Sequence, residues 1–307
     1  MNEKPFHSGY VAIAGRPNAG KSTLLNRLLE QPLSLVTAKP QTTRQRILGI
    51  CNVEPSEELP GGAQILFIDT PGLHKPTQPL NRFLVREALS GIEDSDLILY
   101  LLDGPRGVTE DDRFAFGELK KRKQPKYLVI NKVDLIKPKD RLLPFIEELS
   151  ALGLFDEIIP ISARKDAGFT RLKTLVARQM PPGEPYYPAD QVTDRDTRFV
   201  TSESIRGALF RRLGKELPYS VAVEVTDYHE SRKLDRIRAV IYVERDSQKR
   251  IVIGEKGSMV KEVGTEARKY LEKLLGKKVF LELEVKVLKD WTSDPRALKR
   301  LGYHQGG

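Results

Sequence analysis

The sequence predicts an α/β protein of two domains, in which a doubly wound, mostly parallel sheet precedes a smaller α+β domain. Two observations predict this architecture. Short apolar runs alternate with charged segments up to about residue 180, and a stretch rich in proline and glycine then ends the alternation. Apolar runs without polar alternation indicate strands that are buried on both faces, which crossover helices join into a parallel sheet. We therefore predict a first domain at 1–180, a linker at 181–191 and a second domain at 192–307.

The strands of the first domain are predicted at the apolar runs, because each run is short and is bounded by polar or turn-forming residues. The charged segments between them supply the crossovers that a parallel sheet requires. The stretch MPPGEPYYPADQ at 180–191 is predicted as the linker, since proline and glycine interrupt helices and strands alike. The predicted strands are 10–14, 65–69, 97–103, 127–131 and 158–162.

The second domain is predicted from a change of pattern beyond the linker. Residues 202–217 have helical spacing, whereas 221–228, 236–245 and 279–288 alternate with period two, as half-buried strands do. A further helix is predicted after Gly257. Its apolar residues recur on one face: Val260, Val263, Ala267, Leu271, Leu274 and Leu275. The order helix, strand, strand, helix, strand describes a compact α+β domain.

The charge of the chain points to a polyanionic partner. The 307 residues include 51 Lys+Arg against 42 Asp+Glu, a formal net charge of +9. Before residue 190 there are 26 basic and 23 acidic residues, and from it onward 25 and 19, so the second part is the more basic. RNA or an acidic membrane surface is predicted as the partner of that part, charge alone does not choose between them, and a basic face that is simply solvated stays an alternative.

The chain shows no sign of export or membrane insertion. No run is long and apolar enough to span a bilayer, and the N-terminal segment MNEKPFHSGY lacks the basic and apolar regions of a secretory signal. The single cysteine, Cys51, excludes internal disulfides and cysteine-cluster metal sites. Its apolar neighbours favour a buried side chain over a reactive thiol. We expect a soluble, cytoplasmic protein.

The stretch GRPNAGKS at 15–22, here called the phosphate loop, follows an apolar run and precedes a helical one. It satisfies the pattern G-x-x-x-x-G-K-[ST], in which glycines let backbone amides face phosphate oxygens. Lys21 can reach the terminal phosphates and Ser22 offers a hydroxyl to Mg²⁺. The loop therefore predicts a nucleoside triphosphate bound with Mg²⁺. Its predicted nucleotide-binding residues are Gly15, Asn18, Ala19, Gly20, Lys21, Ser22 and Thr23.

Three further motifs follow in order, each at the end of a predicted strand, where open α/β sheets bind ligands. DTPG at 69–72 places Asp69 beside Mg²⁺ and the Gly72 amide near the terminal phosphate. In NKVD at 131–134, the base loop, the Asp134 carboxylate can accept from both the ring N–H and the exocyclic amine of guanine. This predicts GTP and disfavours a P-loop ATPase or kinase. The third motif, SAR at 162–164, follows the last predicted strand, and the other predicted nucleotide contacts are Asn131, Lys132, Ser162, Ala163 and Arg164.

With these four motifs the first half resembles a translation-factor-type GTPase. In such enzymes a threonine closes over Mg²⁺ between the first two motifs, and Thr42 and Thr43 are both candidates here. Leu73 stands where Ras-like enzymes have a glutamine that orients water, so intrinsic hydrolysis is predicted to be slow. His74 is interpreted as a bystander. Lys21, Thr42, Thr43 and Gly72 are the predicted catalytic residues.

The stretch GEKG at 254–257 is a second glycine-bracketed loop. The spacing G-x-x-G is common, and GPRG at 104–107 shares it, but GEKG joins an apolar run to an amphipathic helix. In this context GEKG resembles the loop of KH domains, which clamps nucleic-acid backbone against a hydrophobic groove. The predicted RNA-binding residues are Ile253, Gly254, Glu255, Lys256, Gly257, Lys261 and Arg268.

With both sets of motifs, the chain resembles the Era family of bacterial ribosome-assembly GTPases from residue 8 to about 304. The resemblance implies a type II KH domain, binding to the 3′ end of small-subunit (16S) ribosomal RNA and action on the 30S subunit. It also implies peripheral association with the inner membrane. Related potassium-stimulated GTPases hold K⁺ with an asparagine that Asn18 matches. A monomer is the default expectation.

Two alternatives remain open at this point. The basic second domain could dock to a membrane or to a protein, with RNA incidental, although the helix after Gly257 has mixed charges on its polar face. Trp291 could be a core anchor for the C-terminal tail or a surface for stacking bases, and we favour the anchor.

Overall fold

The computed structural model describes residues 5–31, 33–34, 36, 43–44, 46–76, 79–165, 168–214 and 217–303. The chain forms two compact units, and the main cut between them falls between Asp194 and Arg195.

The first unit contains a six-stranded sheet. Its strands are β1 (His7–Gly15), β2 (Ile47–Val53), β3 (Ala63–Asp69), β4 (Leu97–Asp103), β5 (Lys126–Asn131) and β6 (Glu157–Pro160). They lie in the order β2-β3-β1-β4-β5-β6. The strands β2 and β3 pair antiparallel as a hairpin, and the other neighbours pair parallel. The predicted doubly wound, mostly parallel sheet is confirmed.

Helices cover both faces of this sheet. They are α1 (Lys21–Leu28), α2 (Pro79–Glu93), α3 (Glu110–Leu119), α4 (Leu142–Ser150) and α5 (Phe169–Gln179). Side chains of α1 and α5 pack into one core with Val11 and Ile13 of β1, and those of α2, α3 and α4 pack into another with Ala12 and Ala14. Because successive residues of β1 enter opposite cores, the strand is apolar throughout, which is why its sequence shows no alternation.

The segment that the sequence predicts as a linker lies against the first unit. The Gln64 side chain accepts hydrogen bonds from the backbone amides of Tyr186 and Tyr187, at 2.8 and 2.9 Å, and donates to the Tyr187 carbonyl at 2.8 Å. Further along, the Ile50 amide donates to the Val192 carbonyl at 2.9 Å. Proline and glycine end the helical pattern here as expected. The backbone groups that are then left outside helices and strands form hydrogen bonds with Ile50 of β2 and Gln64 of β3. The connection therefore leaves the first unit only after Asp194.

The second unit contains a three-stranded sheet with helices. Its elements are α6 (Thr197–Arg212), β7 (Ala222–His229), β8 (Leu234–Val243), α7 (Asp246–Ile253), α8 (Ser258–Leu275), β9 (Lys278–Val287) and α9 (Pro295–Arg300). The strands lie in the order β7-β8-β9, with β8 antiparallel to β7 and parallel to β9. The α8 residues Val263, Ala267 and Leu271 are buried as predicted.

The prediction of one helix between the second and third strands of this unit is wrong, because the structure has two, α7 and α8. Helix α7 begins where the Gln248 side chain accepts hydrogen bonds from the backbone amides of Glu244 and Arg245. It has eight residues, of which Val252 is buried. A helix this short shows too few turns for periodicity to reveal it.

Two single residues behave as predicted. The Trp291 side chain is fully buried and its indole N–H donates to the Ser220 carbonyl at 2.9 Å, so the anchor interpretation is confirmed and the stacking interpretation is wrong. Cys51 is buried, with its Sγ 3.3 Å from the Leu28 carbonyl oxygen.

Candidate functional site

The phosphate loop joins β1 to α1 and needs glycine at two positions. Gly15 has φ 144°, and a Cβ there would lie 2.5 Å from the Leu101 carbonyl oxygen of β4. Gly20 has φ 104° and precedes the first residue of α1, and a Cβ on it would overlap the side-chain amide of Asn131. The loop is thus pressed against the carboxyl ends of β4 and β5. The N-terminus of α1, where free amides attract anions, opens at the same place.

Lys21 is buried in this loop. Its ammonium donates to the carbonyl oxygens of Gly15 and Arg16, each at 3.0 Å, which holds the charge at the loop. Burial lowers the pKa of Lys21 to about 8, and the nearby Asp69 carboxylate opposes that shift. The charge is therefore costly without a ligand, and the oxygens of a polyphosphate would supply what burial removes.

The lowered pKa of Lys21 predicts how the stability of the nucleotide-free protein depends on pH. From about pH 8 upward the folded state loses its proton before the unfolded state does, so the free energy of unfolding should rise with pH, by at most about 3 kcal/mol. Denaturant unfolding at about pH 7 and about pH 10 tests this. The control is Lys21→Met, which lacks the titrating group, so that subtracting its change in unfolding free energy removes the contribution of all other titrating groups. Parallel changes in both proteins would contradict the prediction.

The predicted Mg²⁺ residues meet at the end of β3. One oxygen of Asp69, Oδ2, accepts from the Ser22 hydroxyl at 2.9 Å and lies 3.4 Å from the Thr43 hydroxyl, and these hydroxyls are 3.1 Å apart. The other oxygen, Oδ1, is buried without a hydrogen-bond partner in the described part of the chain. Burial raises the pKa of Asp69, whereas Lys21 and the hydroxyls that donate to this carboxylate lower it.

This donor set fits Mg²⁺, which takes hard oxygen ligands and retains several waters. Ser22 and Thr43 supply hydroxyls, and the unpartnered Asp69 oxygen can accept from a bound water. Of the two threonine candidates, Thr43 lies at this site, whereas Thr42 falls outside the described residues. Coordination of Mg²⁺ by either threonine stays a prediction.

Sequence reasoning missed Ser34 at this site. Its hydroxyl donates to Asp69 Oδ2 at 2.7 Å. The Asn26 side chain holds the Ser34 backbone through two hydrogen bonds of 2.7 Å, one to its carbonyl and one from its amide. A lone serine and an asparagine on a helix carry no pattern that would have identified either of them.

The DTPG loop packs directly on the phosphate loop. A Cβ on Gly72 would lie 2.7 Å from the backbone nitrogen of Pro17, and the Leu73 amide donates to the Gly15 carbonyl at 3.0 Å. The Leu73 side chain is fully buried in the core formed with α2 and α3. It therefore takes no part in positioning water. His74 is also buried, with its ring Nδ1 2.8 Å from the Gly72 carbonyl oxygen.

Asn131 connects three of the predicted motifs. Its side-chain amide donates to the Ala19 carbonyl at 2.8 Å, and its oxygen accepts from the backbone amides of Lys132 and Ala163, at 2.8 and 3.0 Å. The phosphate loop, the base loop and the SAR motif thus share one side chain. The Asp134 carboxylate is half-buried and accepts no hydrogen bond from the described residues, which leaves it open to a ligand.

The remaining predicted nucleotide contacts border this site. The Ser162 hydroxyl accepts from the Lys165 amide at 3.2 Å, and the Arg164 carbonyl lies 3.3 Å from a guanidinium nitrogen of Arg27 in α1. Thr23 is half-buried in the first turn of α1, and Asn18 adopts φ 63° in the phosphate loop. Direct contact of these residues with nucleotide stays a prediction.

The GEKG loop joins α7 to α8 in the second unit. Gly254, Lys256 and Gly257 have φ values of 75°, 49° and 80°, so the backbone turns sharply between the two helices. A Cβ on Gly254 would lie 2.7 Å from the Met259 amide nitrogen, whereas a Cβ on Gly257 would meet nothing within 4 Å. The side chains of Glu255, Lys256, Lys261 and Arg268 are exposed, and Ile253 is half-buried.

Comparison with known proteins identifies both units. A family model described as a 50S ribosome-binding GTPase matches residues 10–132, and a KH domain model matches residues 216–292. GTPase Era of Geobacter metallireducens is 47% identical over 305 residues, covering 99% of this chain and 100% of the relative. GTPase Era of Syntrophus aciditrophicus is 44% identical over 302 residues, covering 98% of this chain and 96% of the relative. The chain belongs to the Era family of GTPases.

Two solved structures are similar over nearly their whole length. A crystal structure of Era in complex with MgGDPNP and nucleotides 1506–1542 of 16S ribosomal RNA matches with a TM-score of 0.92 at 37% identity, covering 98% of this chain and all of that one. A point variant of Aquifex aeolicus Era bound to GDP and AlF₄⁻ matches with a TM-score of 0.91 at 38% identity, covering 97% of this chain and 100% of that one. The prediction of a GTPase domain followed by a KH domain is confirmed, and GTP hydrolysis is the activity of this Era-family chain.

Within the part of the chain that the structure describes, no helix is both long and apolar enough to cross a membrane.

Proposed function

We propose that this chain acts as an assembly factor of the small (30S) ribosomal subunit, which binds the 3′ end of 16S ribosomal RNA through its GEKG loop and uses GTP with Mg²⁺. The observation that carries the proposal is that the phosphate loop, DTPG, the base loop and SAR meet at one edge of the sheet in a chain that also has a KH domain with a GEKG loop open to solvent. The near-full-length similarity to an Era structure that holds MgGDPNP and this RNA region supports it.

The chain's own residues have separable tasks in GTP hydrolysis. Lys21 places its charge among the phosphates, Asp134 accepts from guanine, and Asn131 keeps the loops that carry them in register. When bound, Mg²⁺ would be held by the hydroxyls of Ser22 and Thr43 and, through a bound water, by Asp69, and it would neutralise phosphate charge. Leu73 has no polar group, and its side chain is buried in the core, so it cannot orient the attacking water. This supports a slow intrinsic rate.

The GEKG loop suits the backbone of single-stranded RNA. The open space beside Gly257 lets phosphate approach the N-terminus of α8, and the exposed Lys256 adds positive charge. Lys261 and Arg268 lie seven residues apart on α8, which places them on one side of that helix. The finer parts of the proposal are a monomer in the cytoplasm, which is the default expectation from the sequence, and peripheral contact with the cell membrane, which rests on the resemblance to the Era family.

Crosslinking to cellular RNA tests this function. Protein expressed in a bacterial cell is crosslinked by ultraviolet light, and the attached RNA is sequenced. We expect the reads to concentrate at the 3′ end of small-subunit ribosomal RNA and to vanish when GEKG is replaced by four residues from an unrelated turn. Crosslinks spread evenly over all RNA would contradict the proposal, as would recovery with lipid or protein alone.

We further propose that K⁺ accelerates hydrolysis through Asn18. Asn18 lies in the phosphate loop with a left-handed backbone, where its side chain can support a cation beside the phosphates. Turnover of GTP should be several-fold faster in K⁺ than in Na⁺, and Asn18→Ala should remove the difference while retaining the slower rate. Equal turnover of the unmodified protein in the two salts would rule the idea out.

A further inference from the structure

A buried cluster of charges connects the phosphate loop with the base loop in the first unit. It consists of Arg16, Asp103, Asp112 and Lys132, and the first three are each at most 5% exposed. None of the motifs that predict the nucleotide site contains Asp103 or Asp112, and the pattern of the phosphate loop leaves the residue type at position 16 open.

Asp103 meets a cation from each loop with the same oxygen. Its Oδ2 accepts from the Lys132 ammonium at 2.7 Å and lies 3.2 Å from Nη2 of Arg16 in an ion pair. The Lys132 ammonium also donates to the Asn18 carbonyl of the phosphate loop at 2.9 Å. The lysine side chain is therefore stretched from the base loop to the phosphate loop and is held at its far end.

The carboxylate of Asp103 is itself fixed in place. Asp103 is the last residue of β4 and pairs in register with Asn131 at the end of β5. The next residue is Gly104, where a Cβ would lie 3.0 Å from the Asn131 carbonyl oxygen, so the two backbones are in close contact. With the side chain buried, the carboxylate has no solvent to turn toward, and its interactions are stronger than those of an exposed group.

The other end of the cluster is held by α3. Arg16 Nε lies 3.6 Å from Asp112 Oδ2. Asp112 accepts from the Tyr100 hydroxyl at 2.8 Å and from the hydroxyl of Thr109 at 2.6 Å. Arg16 thus lies between two fixed carboxylates. Through it, Asp103 of β4 and Asp112 of α3 restrain the phosphate loop.

We propose that Asp103 is a positioning residue for nucleotide binding, which holds Lys132 and Arg16 in one arrangement and so fixes the base loop relative to the phosphate loop. One nucleotide must meet Asp134 with its base and the phosphate loop with its phosphates at the same time. A site whose two halves are already in register loses less freedom on binding. The proposal rests on the guanine-nucleotide function of this site and adds a residue that acts through others.

The isosteric variant Asp103→Asn removes the charge and keeps the shape. Lys132 and Arg16 then share too little negative charge to be held together. We expect GDP to bind about tenfold more weakly, mainly through faster dissociation. The kcat at saturating GTP should stay within about twofold, because Ser22, Thr43 and Asp69 are unchanged. Dissociation of a fluorescent guanine nucleotide and steady-state turnover measure the two effects separately.

Asp156→Asn is the matched control. The Asp156 carboxylate accepts from the Lys126 amide at 2.7 Å, at the opposite end of β5 from the nucleotide site. The variant Asp156→Asn should leave the rate of GDP dissociation unchanged even if it lowers the midpoint of denaturant unfolding. The same faster dissociation in both variants would show that general destabilisation is the cause and would overturn the proposal.

A double-mutant cycle with Lys132→Met tests whether Asp103 acts through Lys132. If it does, the affinity of the double variant for GDP should be close to that of whichever single variant binds GDP less tightly. Losses of binding free energy that simply add would overturn the proposal. Should Asp103→Asn fail to fold, Arg16→Met with Asp103→Asn removes the buried pair together and should show the same faster dissociation. If the unmodified protein did not bind GDP in this assay, the nucleotide function itself would fail. Normal binding by Asp103→Asn would reject only its positioning role.

Discussion

Asp134→Asn should change the base preference of the enzyme from GTP toward xanthosine triphosphate. The Asp134 carboxylate only accepts hydrogen bonds, which suits the ring N–H and the exocyclic amine of guanine. Asparagine presents an amide donor in place of one oxygen, and xanthine carries a carbonyl acceptor in place of the amine. Two hydrogen bonds to a charged acceptor are affected, so the ratio of the two affinities should change on the order of a hundredfold or more. Competition of both triphosphates against a fluorescent guanine nucleotide measures this ratio.

Asp140→Asn makes the same substitution at an exposed position of the same chain segment. It should leave the ratio of affinities unchanged, which controls for the loss of one negative charge near the site. Retention of full GTP preference by Asp134→Asn would show that NKVD is not the base-reading motif. The structure favours a readable effect, because the Asp134 carboxylate accepts no hydrogen bond from the described residues, so its replacement breaks none of their hydrogen bonds.

The parts of the fold that sequence could predict are those set by local rules. Gly15 and Gly20 need conformations that other residues rarely adopt, and the apolar runs beside them need burial on two faces. Both constraints act within a few residues, so they leave patterns along the chain. The convergence of four motifs also followed from sequence, because parallel strands bring their carboxyl ends to one edge of a sheet.

The parts that sequence could not predict depend on neighbours distant in the chain. Ser34 reaches Asp69 across 35 residues, and Gln64 binds the backbone near Tyr186 across 122. Asp103 gains its importance from Arg16 and Lys132, which belong to different loops. Polar residues of these types are common on every surface, and only the folded structure shows which of them are buried together.

Gly257→Asp should abolish most RNA binding and leave the nucleotide site intact. Position 257 has φ 80°, a conformation that aspartate tolerates better than most residues, and a Cβ there meets nothing within 4 Å. The variant should therefore fold. Its carboxylate would stand where RNA phosphate must approach the N-terminus of α8, and like-charge repulsion should weaken binding by about tenfold or more. Titration of a labelled oligonucleotide from the 3′ end of 16S ribosomal RNA over a salt series measures the loss.

Gly257→Asn separates charge from shape in this experiment. Asparagine has the same size and also tolerates a positive φ, so it should lose much less RNA affinity than aspartate does. The full chain carrying Lys21→Ala gives the reciprocal result: GTP binding should collapse while RNA affinity without nucleotide stays near normal. In Gly257→Asp, GTP affinity and hydrolysis without RNA should be unchanged, because the substitution lies in the other unit. If folded Gly257→Asp bound the oligonucleotide as well as the unmodified chain does, GEKG would be an ordinary turn, and docking of this domain to a membrane or a protein would become the better interpretation.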